Sequence, residues 1–284
     1  MYITLEDEFG DIVGKARRGR EMSVADLADK TDLKTAQLEQ LEEYEWTPEG
    51  DGIQRLAQVL ELDPQRLQAS AQSNFFPLYP EGRGHDGLVL EMMVLGSDFL
   101  MNGYVVGCAQ SRRGLVVDPG FDAEKILRTV ESTGLTIEKI LLTHGHGDHI
   151  GCLSEICQAT GAPAFIHAAD VPLIGNLRTK IEGELVDGQV IEMGSQQLQV
   201  QSTPGHTPGG VSLVHQSLAL VGDALFAGSL GGTRSLPAYR SQMQAVADKI
   251  LTLDEAVVLY PGHGPATSVG EERRHNPFFI EANG

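Results

Sequence analysis

The amino-acid sequence predicts a layered α/β domain preceded by a small all-helical domain. Two observations predict this arrangement. The first 70 residues carry helix caps and apolar residues at helical spacing, whereas from Leu88 onward short β-branched runs alternate with helical stretches. Strands mixed with helices over the whole remainder of the chain favour a layered α/β fold.

The helical domain is predicted over residues 1–70. Ser23 and Asp26 form a capping pattern, because the hydroxyl and the carboxylate can satisfy free amides at a helix start. Apolar residues recur at helical spacing from Ile53 to Leu60. Asp63 followed by a proline predicts the start of one more helix. Four or five short helices should therefore form a small bundle.

A linker is predicted over residues 71–87, which contain two prolines, three glycines and no periodicity. Phe75, Phe76 and Tyr79 could pin this linker to a neighbouring surface. The α/β domain is predicted over residues 88–284. Its predicted strands include 88–94, 104–106, 115–117, 140–142, 198–201, 211–214, 218–221 and 257–260, and its predicted helices include 123–133 and 153–159.

Charge and composition limit the partners of the protein. A formal net charge of −18 opposes nonspecific binding to nucleic acid or anionic lipid. No apolar run reaches the roughly 18–20 residues that a membrane span needs, and the acidic N-terminus does not read as a signal peptide. Three cysteines do not suggest a disulfide framework. We therefore expect a cytoplasmic protein with no membrane partner. The sequence leaves a homo-oligomer open.

The histidines indicate a metal site. His144, His146, Asp148 and His149 lie in His-Gly-His-Gly-Asp-His, directly after a predicted strand. Glycines allow the backbone shapes that converging side chains require. Burying three imidazoles and a carboxylate without partners would cost several kcal/mol, so a purely structural role is disfavoured.

Three further segments repeat the same order of apolar strand, sharp turn and candidate ligand. They end in His206, Asp223 and His263. Seven nitrogen and oxygen donors exceed the needs of one catalytic zinc, which takes three protein ligands. They suit two divalent ions that share a carboxylate. Zinc is the first choice, and iron or manganese is also compatible with such ligands.

These motifs resemble the metallo-β-lactamase superfamily, whose signature is His-x-His-x-Asp-His. The stretches TPGHTPGG, VGDALFAG and PGHGP, followed by EERRHNPFF, look like its short glyoxalase-II-like branch. The resemblance implies an αββα sandwich with the site at one edge of two packed sheets. It also implies a ligand set for each metal: His144, His146 and His206 for one, Asp148, His149 and His263 for the other, with Asp223 bridging.

The resemblance implies hydrolysis of a small acyl-thiol, of the hydroxyacylglutathione type. A hydroxide formed from metal-bound water would attack the carbonyl, and Asp148 would orient it as the catalytic carboxylate. Asp118 either supports the site from outside or only forms a turn. Arg234 and Tyr239 are candidates for the substrate pocket. The chain has only 21 residues after His263, fewer than the longer glyoxalase II enzymes, which carry an added helical region there.

Two other functions remain open from the sequence. Related proteins of the superfamily are persulfide dioxygenases, which use a single iron at the equivalents of His144, His206 and Asp223. True β-lactamase activity ranks lower, because many such enzymes have a cysteine at the position of Asp223 and are exported.

The N-terminal domain resembles the helix-turn-helix of phage repressor and Cro proteins. The match places Met22–Ala28 before a turn at Thr31–Leu33, and Leu38 to Leu41 in the recognition helix. A ligand-sensing regulator that binds DNA through this domain is therefore an alternative function. Residues 1–72 contain 8 Lys and Arg against 16 Asp and Glu, a net charge of −8 that disfavours DNA. We expect a domain that packs against the hydrolase or a second subunit.

Overall fold

A computed structural model describes residues 4–280, so the predicted domain ends at 1–3 and 281–284 lie outside the described residues. The N-terminal part forms five helices. They are α1 (Phe9–Gly19), α2 (Val24–Thr31), α3 (Thr35–Glu42), α4 (Asp51–Leu60) and α5 (Pro64–Ala71). The expected caps are present: the Ser23 hydroxyl accepts from the Asp26 amide, and Asp63 accepts from the first amides of α5.

The rest of the chain contains two six-stranded sheets. The first has the order β1 to β6, and it consists of β1 (Leu88–Leu95), β2 (Met101–Cys108), β3 (Arg113–Val117), β4 (Thr136–Leu141), β5 (Ala164–Ile166) and β6 (Ile181–Glu184). The second has the order β12 to β7, and it consists of β7 (Val190–Met193), β8 (Gln196–Ser202), β9 (Val211–Val214), β10 (Leu218–Gly222), β11 (Val258–Pro261) and β12 (Thr267–Ser268).

Five α-helices accompany the sheets: α6 (Ala123–Thr133), α7 (Gly147–Ile150), α8 (Leu153–Thr160), α9 (Leu236–Ala245) and α10 (Val269–His275). Short 3-10 helices span Ala168–Leu173 and Gly175–Lys180, and a π-helical turn, Val246–Ile250, extends α9. The eight predicted strands are all present, although the run at 104–106 belongs to the longer β2. The short strands β5, β6, β7 and β12 were not named from the sequence.

Three apolar layers hold the domain together. Alternate residues of both sheets, such as Val106 and Leu213, meet between the sheets. On the outer face of the first sheet, Val116 packs with Ile126 of α6 and Ile156 of α8. Helices therefore cover two packed sheets, and the αββα fold expected from the sequence is confirmed.

The outer face of the second sheet belongs to the same buried core as α9, α10 and the N-terminal helices, of which α1 contacts α9 and α5 contacts α10. Val221 and Leu259 of this sheet share one buried cluster with Leu27 and Leu56 of the helices and with Tyr239 of α9. Burial of apolar side chains is the main favourable term in folding, at about 25 cal/mol per Å² of apolar surface. The helices therefore share a core with the sandwich, and the domain boundaries at 70 and 88 stay predictions.

The segment between α5 and β1 has no regular element, as expected for a linker. Phe75 stacks on His275 with ring centroids 4.8 Å apart, so one of the three aromatic side chains pins this segment to α10. Phe76 and Tyr79 are each 50% exposed. Within residues 4–280, no helix combines the length and the apolar character of a membrane span.

Candidate metal centre

The His-Gly-His-Gly-Asp-His motif lies where β4 ends, at one edge of the sandwich. After Leu141 the chain turns so that His144 and His149 are buried, while His146 and Asp148 are partly exposed. Asp148 and His149 both lie in the single-turn helix α7. Their side chains converge with the preceding turn, since His149 Nε2 lies 3.3 Å from Asp148 Oδ2 and the ring centroids of His144 and His149 are 4.1 Å apart.

The other three predicted ligands come from the second sheet. β9 is antiparallel to both β8 and β10, and β11 is parallel to β10, so β8, β10 and β11 run in one direction. Their carboxyl ends lie at one edge, where α/β proteins form sites. His206, Asp223 and His263 each follow one of these strands. The structure thus brings all seven predicted ligands together.

Their donor atoms form two groups of three. One group is His144, His146 and His206, and the other is Asp148, His149 and His263. Within each group the ligand atoms lie within 4.8 Å of one another. Gly262 makes this approach possible, because a Cβ atom there would lie 2.0 Å from Asp223 Oδ1.

Three histidines are oriented by hydrogen bonds on their outer nitrogen. Nδ1 of His206 lies 2.7 Å from the carbonyl oxygen of Gly232, and Nδ1 of His263 lies 2.7 Å from that of Leu100. Nδ1 of His149 lies 3.0 Å from the Asp118 carboxylate. Because these partners accept, each ring donates from Nδ1, and its Nε2 carries a lone pair when the ring is neutral. This is how proteins orient histidine ligands of metals.

The inner ligand atoms of the site crowd together. Nε2 of His149 lies 3.3 Å from Nε2 of His263, and both lie 3.3 Å from Asp148 Oδ2. Among the described residues, buried His144 Nε2 and Asp223 Oδ1 have no hydrogen-bond partner. Facing lone pairs and a buried carboxylate oxygen are unfavourable alone. A divalent cation would satisfy them, so the residues fit a metal.

The electrostatics of Asp223 and His144 favour the protonation states that bind metal. Burial alone would raise the pKa of Asp223, but His149 and His144 beside it hold that pKa well below its usual range. Burial lowers the pKa of His144 well below its ordinary value. An ionised carboxylate and a neutral imidazole are the forms that coordinate metals. Burial lowers the pKa of His149 and of His263, but nearby carboxylates outweigh it: Asp223 and Asp118 raise the pKa of His149 well above its ordinary value, and Asp148 and Asp223 raise that of His263.

Residues 99–263 match the family model for the metallo-beta-lactamase superfamily, and this match covers more than half of the chain. The chain belongs to that superfamily.

Named relatives agree with this assignment. A probable metallo-hydrolase, YqgX of Bacillus subtilis, is 35% identical over 181 residues, which cover 58% of this chain and 86% of YqgX. Hydroxyacylglutathione hydrolase GloC of Haemophilus influenzae is 29% identical over 186 residues, which cover 59% of this chain and 87% of GloC. The structure of TTHA1623 in a di-iron-bound form is 31% identical with a TM-score of 0.55, and the match covers 66% of this chain and 98% of TTHA1623.

Asp118 supports the superfamily motif from outside. It is 1% exposed, and its carboxylate accepts from the Thr143 amide at 2.8 Å and the Thr143 hydroxyl at 2.6 Å, besides its contact with His149. Of the two readings left open by the sequence, the structure favours support of the site over a simple turn.

Two positioning residues of the superfamily domain were missed by sequence reasoning. Fully buried Asp170 accepts from the amides of Gly145 at 2.9 Å and Gly209 at 2.7 Å, joining the motif to the loop that carries His206. Gln242 Nε2 donates to the carbonyl oxygens of Asp223, Ala224 and Gly231 at 3.0–3.3 Å. Neither stands in a recognisable pattern, because their partners are backbone groups.

The two suggested pocket residues, Arg234 and Tyr239, lie in different surroundings. Arg234 is exposed, two residues after the Gly232 carbonyl that holds His206. Tyr239 is buried against Gly19 of α1, where a Cβ would lie 2.5 Å from its ring. Tyr239 therefore belongs to the contact with the N-terminal helices, and its assignment to the substrate pocket was wrong.

Proposed function

We propose that this protein is a two-metal hydrolase of thioesters, acting on acyl derivatives of a small thiol of the hydroxyacylglutathione type. The observation that carries the two-metal part is the position of Asp223 between the two ligand groups. Its Oδ2 lies 3.2 Å from His206 Nε2 in one group and 3.5 Å from His263 Nε2 in the other. One carboxylate can therefore serve both groups.

The metals supply the chemistry that the side chains lack. Bound divalent cations lower the pKa of water toward neutrality and polarise a carbonyl group. His144, His146 and His206 would hold one cation, and Asp148, His149 and His263 would hold the other. Zinc is the expected metal, and the di-iron form of the similar protein TTHA1623 makes iron the first alternative to test.

Asp148 is the proposed catalytic carboxylate. Its side chain is 21% exposed, whereas that of Asp223 is only 6% exposed, so Asp148 is the more accessible to substrate and water. Its oxygen can accept a hydrogen bond from the attacking water and orient it toward the carbonyl carbon. The water then gives up a proton as its oxygen bonds to that carbon, the carbon–sulfur bond breaks, and the thiolate that leaves takes up one proton, so that the products are a carboxylic acid and a thiol.

The thioester part is supported by similarity. GloC bears the name of a hydroxyacylglutathione hydrolase and is 29% identical to this chain, and the motifs around His206, Asp223 and His263 look like the glyoxalase-II-like branch.

The test is a substrate screen with the full chain loaded separately with zinc, iron and manganese. We expect thiol release from S-lactoylglutathione or a related acyl-thiol, without oxygen consumption. The Asp148→Asn variant, purified in the same way, controls for contaminating thioesterases and should lose this activity. Oxygen uptake with glutathione persulfide, and no thiol release from any acyl-thiol, would replace the proposal with persulfide dioxygenation.

A further inference from the structure

The loop that begins with Asp223 is held by polar side chains from several directions. This loop, residues 223–232, connects β10 to α9 and is called the Asp223 loop below. Gln242 binds three of its carbonyl oxygens. Behind it, the buried Glu272 accepts from the Gly228 amide at 3.1 Å, and Asn276 Nδ2 donates to Ser229 at 2.9 Å. These anchors come from α9 and α10, within the sandwich.

One further anchor comes from the N-terminal helices. Lys15 of α1 donates from Nζ to the Leu230 carbonyl at 2.9 Å, across 215 positions of sequence. The same ammonium lies 4.7 Å from the centroid of the Phe226 ring and 2.5 Å from Asp7 Oδ2. The side chains of Lys15 and Asp7 are 16% and 4% exposed. Such a low exposure makes the interaction stronger than a surface ion pair.

The contact between Lys15 and the Asp223 loop lies close to two predicted ligands, Asp223 and His263. Asp223 begins the loop that Lys15 holds, and the Phe226 ring lies 5.6 Å from the ring of His263. The chain before α1 also lies against the His263 turn, since a Cβ on Gly264 would lie 2.9 Å from the Glu6 amide nitrogen. The N-terminal segment therefore packs against the segments that carry Asp223 and His263.

We infer that Lys15 is a positioning residue of the metal centre, so that the N-terminal helices complete the site. Lys15 lies outside residues 99–263, which the family model matches. By fixing Leu230 and Phe226, it limits the movement of the Asp223 loop and keeps the carboxylate between the two ligand groups. The inference rests on the metal centre of the proposed function, but not on thioester specificity.

The test compares metal affinity in three full-length variants. Lys15→Met alone would leave the Asp7 carboxylate buried and unpaired, which destabilises strongly, so the main variant is Asp7→Asn with Lys15→Met. Lys15→Arg keeps a hydrogen-bond donor and a positively charged side chain at this position. Arg20→Ala is the matched control. Arg20 lies 5.6 Å from the Tyr239 ring across the same surface and pairs with Glu61, and within residues 4–280 it donates no hydrogen bond to the Asp223 loop.

Zinc affinity is measured by competition with a chelator, together with the thermal stability of the metal-free protein. Loss of an outer-shell partner of a metal ligand typically costs about 10–100-fold in affinity, and we expect about tenfold for the double variant. Lys15→Arg should bind zinc nearly as the original chain does. Arg20→Ala should lower stability without changing the affinity.

Two results would overturn the inference: unchanged zinc affinity in the double variant, or an equal loss in Arg20→Ala. Because binding is measured without turnover, the outcome is independent of the proposed reaction. A chain that hydrolyses no thioester, yet loses affinity only in the double variant, would refute the reaction and keep the inference.

Discussion

The metal centre and the N-terminal helices differ in how their polar groups are satisfied. At the ends of β4 and β10, His144 Nε2 and Asp223 Oδ1 are buried without a partner among the described residues. In the described N-terminal helices, one buried side-chain nitrogen, Arg20 Nε, lacks a hydrogen bond, and its guanidinium still pairs with Glu61. Arg17 makes two bonds to Glu42, at 2.6 and 2.7 Å, and Arg18 reaches the same carboxylate at 3.2 Å.

This difference distinguishes a ligand-binding site from a structural scaffold. Buried polar groups in native proteins are nearly always paired, so a convergent set that lacks partners points to a ligand. Paired groups at helix ends and between helices instead fix a fold. We therefore expect a division of roles: the strand ends carry the chemistry, and the helices position the groups at those ends.

The largest effect is expected for Asp223→Ala. This change removes the carboxylate that faces both ligand groups. It should reduce hydrolysis by more than the ~100-fold that loss of an outer-shell partner costs, and it should lower metal content. Elemental analysis and the thioester assay measure both effects. Normal metal content and turnover in this variant would contradict the division.

Asp118→Asn should have a smaller effect. The amide keeps the size of the side chain but loses the charge that orients His149 and accepts from Thr143. We expect metal affinity or activity to fall about 10–100-fold, with the fold retained. A chelator titration and far-UV circular dichroism would distinguish this result from unfolding. An effect as large as that of Asp223→Ala would argue that Asp118 is itself a ligand.

The Ser23→Ala variant tests whether a helix cap in the N-terminal domain affects stability without affecting the metal centre. The Ser23 hydroxyl accepts from the Asp26 amide at 3.0 Å and caps α2. Its loss should lower the free energy of unfolding by about 1 kcal/mol, while metal affinity stays unchanged. Chemical denaturation measures the first quantity. Reduced zinc binding would show that the cap, too, belongs to the centre.

No effect is expected in a test for DNA binding. The predicted recognition helix, α3, buries Leu38 and Leu41 and exposes Glu39. Arg17 and Arg18 pair with Glu42, and Arg20 pairs with Glu61. Since phosphate contacts dominate affinity for DNA, a gel shift at low salt with operator-like fragments should show no complex. A sequence-specific shift would restore the regulator alternative.

The sequence predicted the ligands better than their support. Each of the seven candidates lies in the segment that follows a strand, and strand ends can be predicted from apolar runs and glycines. Asp170, Gln242 and Lys15 bind backbone groups of distant segments. Their positions depend on how the helices and sheets pack against one another, and no local sequence pattern encodes that packing.

The same limit applies to the helices. Caps at Ser23 and Asp63 could be read directly, as could the apolar face from Ile53 to Leu60. The surface against which these helices pack, which includes α9 and α10, could not be predicted, because an apolar helix face suits any apolar neighbour. Tyr239 was misplaced for this reason, as its polar ring suits either a pocket or a contact between layers.

The most direct test of the central claim is the metal content of the full chain. After reconstitution with zinc and removal of excess ion, elemental analysis should give two metal ions per chain, and Asp223→Ala should retain fewer. A ratio of one that Asp223→Ala does not change, or no bound metal at all, would contradict the account.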